Sequence, residues 1–211
     1  WKGKNIILHF QAVDYECQVW VNNKLAGTHK GGNNPFEFDI TKFINKSGDQ
    51  IVELSVVDPT DQESISRGKQ QLNQKGIWYT PVSGIWQTVW LEAVNPQHIR
   101  QILPEADIHK KTVKLHLDIA GAKGQENIKV EVMDDGKVIK TITQKGISDM
   151  EIEIPNAVLW SPASPKIYHL NVELSVNGKT TDNVKSYFTL RETSIKKDAC
   201  GYNRICLNGE P

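Results

Sequence analysis

Trp78, Tyr79, Trp86 and Trp90 crowd into thirteen residues at the end of a long polar stretch running from Asp58 to Pro81. Sugar rings have an apolar face of C–H groups and a rim of hydroxyls. A site for them therefore pairs an aromatic platform with amides and charged groups that hydrogen-bond the rim. Trp78 and Tyr79, beside Lys69, Gln70, Gln71 and Asn73, have that composition. We take Lys69, Gln70, Trp78 and Tyr79 as candidate sugar-binding residues. For Trp78 and Tyr79 at a loop end, a platform and a place in the core are equal alternatives. Trp86 and Trp90, in or beside a strand, are expected to fill a core.

Other chemistry is sparse. There is no HExxH, GxSxG, P-loop or GxGxxG motif. Ser66–Lys69 matches SxxK, but its companion motifs are missing and the match reads as chance. Asp58, Asp61 and Glu63 form an acidic cluster better explained as a solvated loop than as a cation site, and no metal or cofactor is expected. The six histidines show no ligand spacing. Asn45-Lys46-Ser47 is a formal glycosylation sequon, meaningful only in a glycosylating host. Cys17 lies in an alternating stretch and reads as a small buried hydrophobe. Cys200 and Cys206 either pair or are two unrelated thiols, and three cysteines without a CxxC argue against a zinc ribbon.

Lys plus Arg and Asp plus Glu both number 25. That balance gives no reason to expect nucleic acid or an anionic membrane as a partner. No apolar run is long enough to cross a bilayer, so membrane insertion is not expected. The first residues lack a secretory pattern, which is uninformative if the chain begins inside a longer protein.

The elements that must position the aromatics have period two. Val113, Leu115, Leu117 and Ile119 alternate with polar residues, as do Ile128, Val130 and Val132, and again Leu170, Val172, Leu174 and Val176. Each run reads as a strand with one face in a core. Asp134-Asp135-Gly136-Lys137 and Val176-Asn177-Gly178-Lys179 are hairpin turns, because Asp, Asn and Gly tolerate positive φ. Ile6–Phe10, Gln18–Val21, Ile51–Val57 and Gln87–Glu92 are further strands, with a turn at Asn22-Asn23-Lys24. Gly31-Gly32 suits a sharp loop, and Ser83-Gly84 suits a close backbone approach. The stretch between Asp58 and Pro81 has no such pattern, and a loop of that length usually has a function or is disordered. We place a boundary near Val94-Asn95-Pro96. The class is all-β, a partial jelly-roll sandwich over residues 1–97 followed by an immunoglobulin-like sandwich over 98–191.

An ordered series of words carries a resemblance. It starts with Phe10–Glu16 and Val19–Asn22, then Gly27–Gly32 and Pro35–Thr41. Gly68-Lys69-Gln70 and Ile77–Glu92 follow, the latter containing Ser83-Gly84-Ile85-Trp86. This half of the series resembles the N-terminal sugar-binding, galactose-binding-like jelly roll of glycoside hydrolase family 2, the β-galactosidase and β-glucuronidase family. Leu159-Trp160-Ser161-Pro162, Tyr168, Leu170 and Tyr187–Arg191 resemble the immunoglobulin-like second domain of that family. Leu207-Asn208-Gly209-Glu210-Pro211 looks like the lead-in to its third domain, a TIM barrel, so residues 192–211 are expected to lead to a barrel absent from this chain.

The resemblance implies a glycosidase whose two catalytic carboxylates lie beyond the last of these words. Retaining hydrolysis holds such a pair roughly 5 Å apart on a rigid scaffold. No catalytic residue is therefore expected here; the chain would be a non-catalytic accessory part of an enzyme acting on O-glycosides. Two alternatives stand: an autonomous carbohydrate-binding module, or a purely structural pair of sandwiches. The implied partners are a carbohydrate substrate and the barrel. Family members also carry strands upstream of the position of Trp1. A jelly roll without them exposes a sheet edge, so self-pairing through that edge, a strand swap or local disorder is expected. Export to a bacterial periplasm is the implied location, with a cytoplasmic one as the alternative.

Overall fold

Alternation of apolar and polar residues becomes strands throughout the computed structural model, which describes residues 1–146 and 149–211. The chain divides into two compact units, Trp1–Val94 and Asn95–Pro211.

In the first unit β1 (Asn5–Phe10), β2 (Val13–Asp14), β3 (Glu16–Val21), β4 (Lys24–Lys30), β5 (Phe36–Asp39), β6 (Val52–Val57), β7 (Gly84–Ile85) and β8 (Val89–Val94) follow in order. They form two three-stranded antiparallel sheets, β5-β1-β8 and β4-β3-β6, with β2 and β7 paired separately. Leu8 and Phe10 from one central strand and Cys17, Val19 and Val21 from the other make the core, joined by Ile40. Phe36 stacks on Phe10 at 4.9 Å and on His29 at 4.0 Å between ring centres. The turn after β3 uses Asn22 and Asn23, both at positive φ. Gly27 is required for packing, since a Cβ there would stand 2.2 Å from the Phe38 ring.

The edge strands β6 and β8 are less covered. Val89 and Leu91 lie opposite Phe10 and Leu8, on the core side of their sheet, yet are 38% and 46% exposed. Trp90 faces the other way. It lies opposite His9, stacks on its ring at 4.6 Å and is 39% exposed. The core place expected for Trp90 is thus wrong: strand alternation gives the inward positions to Val89 and Leu91.

The second unit begins with β9 (His98–Asp107), β10 (Thr112–Ala120), β11 (Asn127–Asp134), β12 (Lys137–Lys145), β13 (Met150–Glu153), β14 (Tyr168–Val176) and β15 (Lys179–Phe188). A three-stranded sheet β13-β10-β9 faces a four-stranded sheet β12-β11-β14-β15, the strand count of an immunoglobulin-like sandwich. Val113, Leu115, Ile128, Val130, Val132, Leu170, Val172 and Leu174 are all buried in its core. Both expected hairpin turns form, with Asp135 and Gly136, and Asn177 and Gly178, at positive φ. The Tyr168 hydroxyl accepts from the Val158 N–H at 2.9 Å, and its ring stacks on Phe188. Glu126 is a buried carboxylate that accepts from the Lys123 N–H at 2.6 Å and from Gln97 at 3.0 Å. Burial raises its pKa. Backbone N–H groups of residues 123–126 more than offset that and hold it below the usual carboxylate range.

A hairpin of β16 (Thr193–Lys197) and β17 (Asn203–Leu207) follows. Asn208 closes it: its N–H donates to Glu192 O, its side-chain oxygen accepts from the Glu192 N–H, and its amide donates to Trp160 O at 2.9 Å. The Leu-Asn-Gly word is thereby tied to the Leu-Trp-Ser-Pro word. All three thiols are free, Cys17 and Cys206 buried and Cys200 exposed.

Candidate functional site

The polar stretch of the first unit contains no named strand between β6 and β7, but it is organised around one carboxylate. Asp58, just past the end of β6, accepts from the Thr60 N–H at 2.7 Å and from the Ser83 hydroxyl at 2.7 Å. The two ends of the loop are pinned together through that side chain. Asp61 accepts from the Leu72 N–H, and Arg67 donates to Thr60 O. Asp58 and Asp61 therefore hold loop backbone. Among the described residues no group of three or more His, Cys, Asp or Glu side chains is arranged to hold a metal ion.

Three of the four candidate residues meet in this loop. The Tyr79 N–H donates to Lys69 O at 2.6 Å, the Gln71 N–H donates to Tyr79 O at 3.2 Å, and Gln70 and Tyr79 form a parallel bridge. Tyr79 is 66% and Trp78 38% exposed, so neither fills a core. Trp78 is held by its N–H on Lys75 O.

A cleft of about 380 Å³ opens beside the loop. Gln70 lines it; Lys69, Trp78 and Tyr79 do not. The other polar groups in its wall are Asp14, Asn33, Ser66, Arg67 and Ser83, and Trp86 supplies the aromatic surface. Trp86 lies between β7 and β8, outside any ladder, and is 52% exposed. Its indole N–H donates to Gly32 O at 2.7 Å and its backbone N–H to Ala12 O. The core role expected for Trp86 is therefore corrected, because residues 86–88 fall outside the alternating run.

Asp14 sits opposite Gly84 in the short β2–β7 ladder. Burial first, then the charge of Asp58, pushes its carboxyl above the ordinary range. Gly32 gives it room, since a Cβ there would lie 2.6 Å from Asp14 Oδ1. Gly84 plays a different part from the close approach expected of it. A Cβ there would meet nothing within 4 Å, and the residue is needed for its φ of 104°. The cleft thus offers a carboxyl, a guanidinium, two amides and two hydroxyls around an indole anchored at its N–H, a set suited to a hydroxyl-rich ring. Sequence reading missed Asp14, Asn33, Arg67, Ser83 and Trp86 as a group. They come from four separated segments, and only Trp86, through its aromatic neighbours, gave a signal.

Comparison with known proteins gives the family. Residues 1–96 match the model of the glycosyl hydrolases family 2 sugar binding domain, and residues 97–191 match a further family 2 model. The chain belongs to glycosyl hydrolases family 2. It is 28% identical to a beta-galactosidase of Thermoanaerobacter pseudethanolicus over 100% of this chain and 28% of the relative. It is 30% identical to a putative beta-glucuronidase of Formosa agariphila over 96% of this chain and 25% of the relative. A beta-glycosidase from Bacteroides vulgatus superimposes with a TM-score of 0.75 at 25% identity, over 100% of this chain and 26% of that one. An FMN-binding beta-glucuronidase from Facaelibacterium prausnitzii shares the fold at 19% identity and a TM-score of 0.76, over 100% of this chain and 32% of that one. The chain thus spans about a quarter to a third of the length of the proteins it matches.

Proposed function

We propose that the first unit is a sugar-binding element that helps shape the substrate site of a family 2 glycosidase, that the second unit is a spacer, and that these 211 residues hydrolyse nothing by themselves. The observation that carries this reading is the pinned loop between Asp58 and Ser83. Fixing a polar loop costs conformational entropy, and here it builds one wall of a cleft with sugar-like chemistry. The two carboxylates needed for hydrolysis would be supplied by a barrel outside this chain. The substrate would be a β-glycoside, with galactosides and glucuronides the first classes to try because relatives carry those names.

Replacing Trp86 by Ala in a full-length enzyme containing this chain tests the reading. We expect KM or kcat to suffer by about tenfold, the loss of an aromatic anchor, with the thermal midpoint nearly unchanged. Unchanged kinetics would remove the cleft from the site. Trp78→Ala, made in parallel, separates the loop tip from the cleft.

A second reading, an autonomous carbohydrate-binding module, is favoured by one observation: every residue lining the cleft lies in the first unit. Titration of the 211-residue chain with methyl β-galactoside and methyl β-glucuronide, followed by tryptophan fluorescence, separates the two. Saturable binding by the chain alone supports the module.

A further inference from the structure

The outward face of the four-stranded sheet in the second unit carries a depression of about 650 Å³. Half-buried sheets normally turn a plain polar face to water, and long Lys and Glu side chains cover it well. This face carries Lys and Glu too, but its depression is lined also by the short amides Asn171 and Asn183 and by Met133. Strand pairing sets Asn171 between Glu131 and Lys185, and His169 opposite Tyr187. Asn183 stands further along β15 and also lines the depression. Tyr187 is 64% exposed, although an edge strand needs no aromatic on its wet side.

We propose that this face binds a neutral oligosaccharide, at a site separate from the cleft of the first unit. His169, in the lining of the depression, and Tyr187, opposite it on β15 but outside that lining, provide the surface on which a sugar ring lies. Asn171 commits one N–H to Glu131 Oε2 at 3.1 Å, which fixes the amide and leaves its other N–H and its carbonyl as a donor and acceptor pair. Glu131 is fixed in turn by Lys129 Nζ at 2.6 Å. These groups stand on three hydrogen-bonded strands, so little ordering is needed on binding. Tyr187 and Asn183 are four residues apart on one strand, about 13 Å, longer than a single ring and suited to a short stretch of oligosaccharide. The charge argues for a neutral ligand: Lys129 stands opposite Glu173, Asn171 stands between Glu131 and Lys185, and these two cations and two anions balance.

The test is an amide NMR titration of the 211-residue chain with cellotetraose and β-1,4-galactotetraose, with tetragalacturonate as the charged control. We expect a neutral probe to shift the amides of His169, Asn171, Asn183 and Tyr187. Tyr187→Ala should weaken that binding about tenfold, and Trp86→Ala should leave it unchanged. Because Tyr187 is exposed, the variant is expected to keep the wild-type spectrum elsewhere. Shifts confined to the first-unit cleft, no shift with either neutral probe, or equal affinity in Tyr187→Ala would each overturn the proposal. So would shifts on this face that appear only when a barrel domain is added, which would make it a protein contact.

Discussion

Three residues decide how the cleft is built. Gly32 lets the Asp14 carboxylate approach, and Trp86 fastens to the Gly32 carbonyl. Gly32→Ala is therefore expected to cost about 1–3 kcal/mol by overpacking. Adding Asp14→Ala should recover much of that loss, which a double-mutant cycle by urea unfolding would measure. Asp14 also sets a pH dependence. Its folded pKa is raised by burial and by Asp58, so its contribution to stability is complete below the unfolded pKa and is lost as pH rises through the folded value. Asp14→Asn should thus gain on the wild type between about pH 4 and neutrality. Glu126 has the opposite sign: held low by backbone N–H groups, it stabilises above its unfolded pKa and loses that effect as pH falls through the folded value. Glu126→Gln should be weaker than wild type at neutral pH, and the gap should close in acid.

At the scale of elements, the period-two runs were legible because burial on one face demands alternation. The inward residues of β10, β11 and β14 lie in or against the core as their spacing implies, except Val176, which follows the register shift after Leu174, and Asp-Gly and Asn-Gly mark their turns for a conformational reason. Gly178→Ala, at φ 76°, should cost about 1–2 kcal/mol, the penalty for a left-handed L-residue, as read from a thermal melt. The loop was legible only as an interruption. Its order comes from Asp58 reaching Ser83 across 25 residues, a contact with no local pattern, and the cleft needs residues from four segments at once. Trp86 reads as core because the short gap between β7 and β8 resembles a continuing strand, and Trp90 because its size masks the inward phase set by Val89 and Leu91. Edge strands β6 and β8 pair on one side only. Their amides should exchange with deuterium well ahead of those in the central β1 and β3.

At the scale of the whole molecule, two sandwiches with separate cores account for nearly all the chain, and both belong to one glycosidase family. Rigid β-sheets position loops accurately and leave chemistry to what the loops carry. The first unit's loops line a cleft with a carboxyl, a guanidinium, amides and hydroxyls. Recognition would thus lie in this chain and bond cleavage in a barrel outside it. The direct test is hydrolysis of a panel of nitrophenyl β-glycosides by this chain and, side by side, by a full-length family 2 enzyme that contains it. Turnover by the full-length enzyme with none by the chain is the predicted result, and it would name the sugar. Turnover by the 211 residues alone, abolished by changing Asp14 or Asp58, would place the catalytic carboxylates within them and contradict the account.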